Sequence, residues 1–468
     1  MCNLSIIEQL PKIIDDGQVE AERILKRSYV EAFTHKEKII PECSYNYDWL
    51  NQFYQGDNLL AIEKLLKSDY RSKLDLIYID PPFLTNAKYK AKIVVNDGEN
   101  KYTLEQFAYS DVWKDGLLSY LQMLYIRLYL MRELLSARGS IYIHLDYRTV
   151  HYVKILMDQI FGEENFLNEI IWSYKSGGVS KRYYSRKHDT ILVYTRGKDY
   201  IFNPQLEKSY NRGLKPYRFK GVKEYEDKLG WYTLVNLKDV WQIDMVGRTA
   251  KERVDYATQK PERLLERIIL TSSDEDSIVA DFFAGSGTTG IVAERLNRRW
   301  ILADNGDLSG AIINKRLVKN RSLPFINYKF PDKAMSGGKL SVKNIEIVND
   351  KKGIHALNIE LDKYKIDISK INIKDKFKDK VKYILQKKPL ALIDFIGIDT
   401  DYNGYIPVFN WQNYRNNGKP IIKSNIRIKD IDFKESRKIY IKYIDIFGNE
   451  NFNIYQINNE RVVLCQED

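Results

Sequence analysis

The sequence predicts an α/β protein built on a doubly wound parallel sheet, with a mostly β domain at its C-terminal end. Three observations carry that prediction. The apolar run Leu74 to Ile79 has strand composition and stops abruptly at Asp80-Pro81-Pro82-Phe83, because two prolines remove backbone donors and fix φ. Two hundred residues later, Ser277 to Phe282 reads as a strand, Phe283 to Gly290 as a glycine turn, Ile291 to Leu296 as a helix, and Trp300 to Ala303 as a second strand closing on Asp304. Beyond about residue 320 the chain becomes Ile-, Lys-, Asp- and Asn-rich and breaks into short alternating runs, the pattern of a separate β domain.

Taken in order, residues 1–45 read as an amphipathic helical lead-in. Gly56-Asp57 reads as a strand-to-helix turn, with Asp57 or Asn58 as a helix N-cap before the helical pattern Ala61 to Leu66. After the strand that ends at Asp80, the stretch Leu84 to Gly116 is polar, with Asn96 to Asn100 as a loop tip, and reads as a mobile loop beside the proline turn. Leu117 to Leu135 is a core helix, Ser140 to Asp146 a buried strand, and Val150 to Phe161 another helix. His144 and Asp146 are expected to be structural, a satisfied polar residue and a cap.

Strands at Ile170 to Trp172 and Thr190 to Tyr194 flank a dense basic segment, Lys181 to Asp189, in which Arg182, Arg186 and Lys187 alternate with tyrosines. Such a cluster at a strand edge suits phosphate contact. Residues 198–250 lose clear periodicity and mix basic with aromatic residues, as an insertion that meets a partner would. Lys260-Pro261 then leads into a helix over Glu262 to Leu270. In the turn that follows, Gly285, Gly287 and Gly290 satisfy G-x-G-x-x-G, and Asp304 stands near the spacing that binds a ribose. This pattern implies a nucleoside-containing cofactor without choosing between a dinucleotide and S-adenosylmethionine. In the last region Lys343 to Val348, Leu390 to Ile396, Lys438 to Ile444 and Phe452 to Ile457 read as strands.

The length of 468 residues suits two or three domains. With 44% hydrophobic and 29% charged residues the chain is globular, and a formal charge of +11 favours a polyanionic partner. Cys2, Cys43 and Cys465 are too few and too scattered for a disulfide framework or a zinc site, so no metal is expected. No signal peptide is visible, and the longest apolar stretch carries Gln122, Arg127, Arg132 and Glu133, which excludes a membrane span. A cytoplasmic protein is expected.

Together, Asp80-Pro81-Pro82-Phe83 and, far behind it, Asp281-Phe282-Phe283-Ala284-Gly285-Ser286-Gly287-Thr288-Thr289 resemble the motifs of the amino-group DNA methyltransferases. The order, catalytic motif first, is that of their β group, which includes modification subunits of type III restriction-modification systems. The resemblance spans about residues 50–320. It implies a Rossmann-like, S-adenosylmethionine-dependent methyltransferase sheet over 46–325, a DNA target-recognition insertion over about 181–250, and a C-terminal β-rich domain over 335–468.

By that resemblance Asp80 and the Pro81 carbonyl accept from the exocyclic amine of a flipped base, Pro82 stiffens the turn, and Phe83 stacks on the ring. Phe283, Gly285, Gly287 and Thr288, on the strand that ends at Asp281, line the cofactor. Asp304 holds its ribose, Asp57 faces its adenine, and Lys260 lies near its methionine end. Arg182, Arg186 and Lys187 contact DNA. Phe83 replaces the usual Tyr, and Asp304 the usual Glu. Adenine is the favoured base because Asp stands at position 80, where cytosine-specific relatives more often carry Ser. A cytosine amino-methyltransferase and a catalytically silent DNA-binding module of the same fold are the alternatives. The partners implied are double-stranded DNA, a restriction (nuclease or helicase) subunit and a second copy of the chain, with no membrane. Sequence reading is expected between Lys181 and Trp241, so that loss of residues 335–468 leaves site preference intact.

Overall fold

In chain order the protein begins with α1 (Ile6–Lys26), β1 (His35–Ile39), β2 (Asn51–Gln55), α2 (Asn58–Leu66) and β3 (Leu74–Ile79), then a hairpin of β4 (Lys88–Asn96) and β5 (Lys101–Ser110). Next come α3 (Leu117–Leu134), β6 (Leu135–Leu145), α4 (Val150–Phe161), β7 (Phe166–Ser173) and β8 (His188–Thr195). β9 (Leu206–Tyr210), β10 (Glu224–Asp227) and β11 (Gly230–Asn236) form a small sheet of their own, before β12 (Val240–Gln242). α5 (Glu262–Ser272), β13 (Ile278–Asp281), α6 (Thr288–Arg295), β14 (Arg299–Asp304), α7 (Asp307–Lys319) and β15 (Phe325–Lys329) follow. The C-terminal region carries β16 (Lys339–Asn349), β17 (His355–Lys365), α8 (Asp375–Lys387), β18 (Ile393–Asp399), β19 (Val408–Phe409) and β20 (Trp411–Tyr414). It ends with β21 (Asn425–Ile431), β22 (Ser436–Asp445), β23 (Glu450–Asn458) and β24 (Arg461–Cys465).

This computed structural model describes residues 5–29, 31–41, 48–96, 99–254, 256–330, 337–349, 355–371, 373–415, 421–432, 434, 436–458 and 461–465. Cys2, Cys43, Asp97 and Gly98, on which the sequence reading draws, lie outside the described residues.

Among the described residues eleven strands pair into one sheet, in the order β12-β7-β8-β6-β3-β13-β14-β2-β15-β1-β19. The six strands from β6 to β15 are mutually parallel. Helices α1 to α4 bury their apolar faces on one side of the sheet, and α5 to α7 on the other. That is the doubly wound layering the sequence predicts, and it brings the carboxyl ends of β3, β13, β14 and β2 together at one edge. Local signals fix the element ends. Ser5 and Glu8 form a capping box on α1, the Asp57 carboxylate accepts from Leu59 N at 2.9 Å to cap α2, and β3 stops at its prolines.

Four expectations need correction. The lead-in over 1–45 is not helical throughout, because β1 joins the sheet antiparallel to β15. The stretch 84–116 is a β-hairpin and not an open loop, with Ile93, Val95 and Leu104 buried. Within 198–250 the chain forms a three-stranded sheet, and β12 returns to the edge of the main sheet beside β7. Leu390 lies in a turn of 3₁₀ helix, and the strand begins only at Ile393.

The C-terminal region shares structure with the rest of the chain. β19 pairs with β1, and the hairpin residues Ile93, Val95 and Leu104 sit in the same hydrophobic core as Leu357, Val381 and Ile396. Between the two regions, Glu37, Lys329, Lys442 and Glu450 form a buried cluster of two acids and two ammonium groups, with N···O distances of 2.6–2.8 Å. The charges balance only as a set. Removing one leaves another buried alone, at a cost of about 3–5 kcal/mol.

Candidate active site

Four neighbouring strand ends each deliver an acid to one edge: Asp80 after β3, Asp281 closing β13, Asp304 closing β14, and Asp57 after β2. They surround a cavity of about 370 Å³, and every catalytic and cofactor candidate from the sequence except Gly287 lines it.

On the proline side, one oxygen of Asp80 pairs with the Lys260 ammonium, while Oδ1 is buried with no hydrogen-bond partner. A buried acceptor left bare is costly unless a ligand donates to it. The Lys260 ammonium also lies 5.3 Å from the centre of the Phe83 ring. Behind Phe83, at 5.7 Å between ring centres, stands His144. This histidine is structural as expected, but its setting is more elaborate. It is fully buried, bonds to the Tyr78 hydroxyl at 2.9 Å, and on its other side meets Asp189 at 3.2 Å. Burial alone would raise the Asp189 carboxyl; the hydrogen bond and charge of His144, with help from Lys260 and Tyr174, hold it below its ordinary range.

The chain leaving Phe83 is clamped by Asp111, at the foot of the hairpin. Its carboxylate accepts from Leu84 N (3.1 Å), Thr85 N (2.7 Å), the Thr85 hydroxyl (2.8 Å) and Trp113 Nε1 (3.0 Å). The clamp holds Leu84 and Asn86 at positive φ, both +56°. Such a conformation costs about 1–3 kcal/mol at a residue other than glycine and persists only where neighbours impose it.

On the glycine side, Asp281 is buried and accepts from Phe283 N at 2.9 Å and from the Thr289 hydroxyl at 2.5 Å. Burial, with smaller repulsion from Asp80 and Asp304, outweighs those bonds and pushes its carboxyl up to about 7. Asp281 therefore holds the turn together. Gly285 N donates to Asp304 Oδ2 at 2.7 Å, and Gly306 N to Asp304 Oδ1 at 2.8 Å. Gly287 sits at φ +74°, where an added Cβ would lie 2.8 Å from Ile313 of α7. A side chain at Gly287 would thus collide with the helix behind the turn and not with the cavity. At Gly285 (φ +53°) an added Cβ would come within 3.3 Å of Tyr256, which is in the cavity wall.

Asp57 combines its capping role with an ion pair to Arg127, at 2.8 Å, and Arg127 also donates to Asn58 Oδ1 at 2.6 Å. Asn58 in turn donates to the Phe282 carbonyl at 2.7 Å, linking the β2 and β13 ends. Sequence reasoning missed Arg127, Asn58 and Asp111 as site residues. For Arg127 a signal existed, since an arginine in the middle of an apolar helix needs an acidic partner.

The basic segment projects from the same edge. β7 runs parallel to β6 and β3, so the connection after Ser173 leaves from the same edge of the sheet as Asp80, with β8 and β6 between. Arg182 is exposed, and the Arg186 guanidinium lies 4.0 Å from the Tyr147 ring centre and 4.9 Å from that of Tyr183. Lys187 is differently engaged: its ammonium donates to the carbonyls of Lys175, Ser176 and Gly177 at 2.9–3.3 Å, closing the loop. Among the described residues there is no cluster of His, Cys, Asp and Glu suited to a metal, and no helix long and apolar enough to cross a membrane.

A sheet whose parallel strand ends join a glycine turn, an Asp-Pro-Pro-aromatic turn and a basic connection is the arrangement that the resemblance to amino-group DNA methyltransferases implies. Residues 74–309 match the profile of the DNA methylase family, and the chain belongs to that family. Its cofactor is S-adenosylmethionine and its substrate is DNA. Among curated relatives, the type II methyltransferase M.HpaI of Haemophilus parainfluenzae is 32% identical over 55% of this chain and 69% of its own. M.EcaI of Enterobacter cloacae, also a type II methyltransferase, is 26% identical over 58% of this chain and 70% of its own. The DNA adenine methyltransferase YhdJ of Escherichia coli is 28% identical over 56% of this chain and 79% of its own.

Proposed function

We propose that the protein transfers a methyl group to the exocyclic amine of adenine in double-stranded DNA, within a restriction-modification or related defence system. The observation that carries the reading is the unsatisfied Asp80 Oδ1, buried in the wall of a cavity that the glycine turn also lines. The name of YhdJ and the type II relatives support adenine and modification chemistry. A match of 29% identity over 164 residues to the type III EcoP15I Mod subunit of Escherichia coli, 24% of that protein, supports a restriction subunit as a partner. A cytoplasmic location and a second copy of the chain as a further partner complete the reading. The units are a catalytic one over 46–325, holding the recognition insertion at about 181–250, and a C-terminal one over 335–468.

The cavity fits the cofactor. Bare glycine backbone at Gly285, the Asp304 carboxylate and Asp57 offer partners to a ribose and an adenine, and Phe283 and Thr288 complete the wall. Bound there, S-adenosylmethionine supplies an electrophilic methyl group. The chain's own residues do the rest. Asp80 Oδ1 and the Pro81 carbonyl accept the two amine hydrogens and draw the nitrogen towards tetrahedral geometry, which frees its lone pair from the ring. Phe83 holds the ring by stacking, with the Lys260 ammonium beside it. Lys260 also keeps Asp80 in one orientation, and the proton that the amine sheds as it is methylated passes to Asp80 Oδ1.

The test is transfer of labelled methyl groups to duplex DNA, followed by nucleoside analysis. N6-methyladenine is expected. Asp80→Ala should lower the rate on the order of 10³-fold while cofactor binding persists. N4-methylcytosine as the product would overturn the choice of base, and wild-type transfer by the variant would overturn the site.

A further inference from the structure

We propose that the exposed face of the β4–β5 hairpin, with the first turn of α8, forms a second arm that holds the phosphate backbone of the duplex. This rests on the DNA methyltransferase reading and goes beyond it, because that reading assigns DNA contact to the recognition insertion at about 181–250 and none to the hairpin or α8.

Position comes first. The hairpin begins five residues after Phe83, and two of the residues around it, Tyr89 and Trp113, line the catalytic cavity. The sheet order sets the basic connection after β7 on one side of β3. The C-terminal region, on which the hairpin rests, meets the sheet on the other side, at β1. A duplex delivering a base to Asp80 therefore has a basic segment on one flank and the hairpin on the other.

Charge comes second. Along β4, Ala91, Ile93 and Val95 turn into the core while Lys88, Lys90 and Lys92 are exposed. Alternate strand residues stand ~6.8 Å apart, close to the separation of successive phosphates along one strand of nucleic acid. Lys374 and Lys376 extend the patch from the start of α8, where Lys374 reaches Glu105 at 2.7 Å. The Glu105 carboxyl lies below its ordinary range through the hydrogen bond and charge of Lys374, and then the charges of Lys376 and Lys90, so these lysines converge on one carboxylate. Neighbouring acids do not offset the excess: Asp375 pairs with Lys378, Glu99 with Lys388, and Asp379 with Lys382. Three of these five ammonium groups crowd one acid, with Lys88 and Lys92 on the same exposed face of β4, and a polyanion offsets the excess positive charge.

Rigidity comes third. Ile93, Val95 and Leu104 anchor the hairpin in the C-terminal core, Arg415 donates to the Val94 carbonyl at 3.0 Å, and Gln106 to the Phe447 carbonyl at 2.5 Å. A patch held this way presents its charges without first having to be ordered.

The experiment measures affinity for a mixed-sequence DNA duplex as a function of salt, using the full-length protein and its Lys88→Gln/Lys90→Gln/Lys92→Gln variant. Each phosphate that a lysine no longer neutralises lowers the slope of log affinity against log salt by ~0.9, so the slope of the triple variant should fall by up to ~2.7. Its melting temperature, and the rise on adding S-adenosylmethionine, should match wild type. A charge-matched control, Lys363→Gln/Lys423→Gln/Lys429→Gln, alters exposed lysines of the C-terminal region outside the hairpin and α8 and should keep the wild-type slope. An unchanged slope in the hairpin variant, with wild type still binding and methylating duplex, overturns the arm and leaves the enzyme reading intact. An equal fall in the control assigns the effect to net charge and also overturns the arm. A wild-type protein that neither binds nor methylates duplex overturns both readings together.

Discussion

The glycine turn after β13 and the proline turn after β3 stand side by side at one sheet edge, yet they are held in different ways. The glycine turn is tied by its own neighbours: Asp281 to Thr289, Gly285 to Asp304, and Ser309 to the Gly285 carbonyl, at sequence separations of 8, 19 and 24 residues. The proline turn and its hairpin reach much further. Asp80 pairs with Lys260 across 180 residues, Val94 meets Arg415 across 321, and Gln106 meets Phe447 across 341. The first turn is closed chiefly by β13, β14 and the helices that follow them, with Asn58 of α2 as a distant tie. The second also rests through its hairpin on the C-terminal core, whereas the glycine turn meets that region at one remove, through α7, where Lys315 pairs with Asp394 at 2.8 Å.

The largest break in that comparison is deletion of residues 335–468. It would expose Ile93, Val95 and Leu104 and remove Lys442 and Glu450, leaving Glu37 and Lys329 buried with half their partners. This structure therefore replaces the expectation that such a truncation keeps its site preference with a more drastic one. The product should be insoluble, or should lack the cooperative melting of the full chain, in calorimetry. A soluble truncation with wild-type transfer would show that the hairpin stands without its support.

The same contrast explains what the sequence discloses. β3 with Asp80 to Phe83, β13 with Gly285 to Gly287, and β14 with Asp304 are legible because their determinants are local: prolines, glycines and short apolar runs. The hairpin escapes such a reading although Lys88 to Val95 alternates and Asn96 to Asn100 is a turn signal; its polar face hides the period. β1, with the sequence His-Lys-Glu-Lys-Ile, carries no strand signal, since Glu37 is neutralised by Lys329 and Lys442, some three to four hundred residues away. Asp111 gives no sign either, because a clamp on Leu84 and Thr85 is defined only once the hairpin closes.

A smaller break separates the two turns without unfolding the protein. Asp111→Ala leaves the Leu84, Thr85 and Trp113 donors without their acceptor, at a cost of about 2–4 kcal/mol, and frees the chain beyond Phe83. A misplacement of about 1 Å at a reacting group costs ~10²-fold in rate. The comparison predicts that the loss falls on kcat while cofactor affinity, measured by calorimetry, stays at the wild-type level. Cofactor affinity falling in step with kcat would mean that the two turns are a single unit.

The smallest and most local test lies inside the glycine turn. The Asp281 carboxyl is pushed up to about 7 from an ordinary value near 3.8, chiefly by burial. A raised acid favours the folded state only while it is protonated in the fold. Its contribution is complete below the ordinary value and is lost as pH rises through about 7. Over that whole window the loss amounts to ~4 kcal/mol at most, from about three pH units of displacement. Asp281→Asn cannot ionise. Its carbonyl can still accept from Phe283 N, and its amide can donate to the Thr289 hydroxyl, so the turn survives. Asp445, buried in the C-terminal region and pushed up to about 6, titrates in an overlapping range, so the informative quantity is the difference between the two proteins. With both free of cofactor, the melting temperature of wild type should fall relative to the variant as pH rises from 5, most steeply between about 5 and 6, and the difference should level off above about 7. A constant difference across that range would mean that Asp281 keeps its charge in the fold, and that the turn holds the carboxylate through its hydrogen bonds after all.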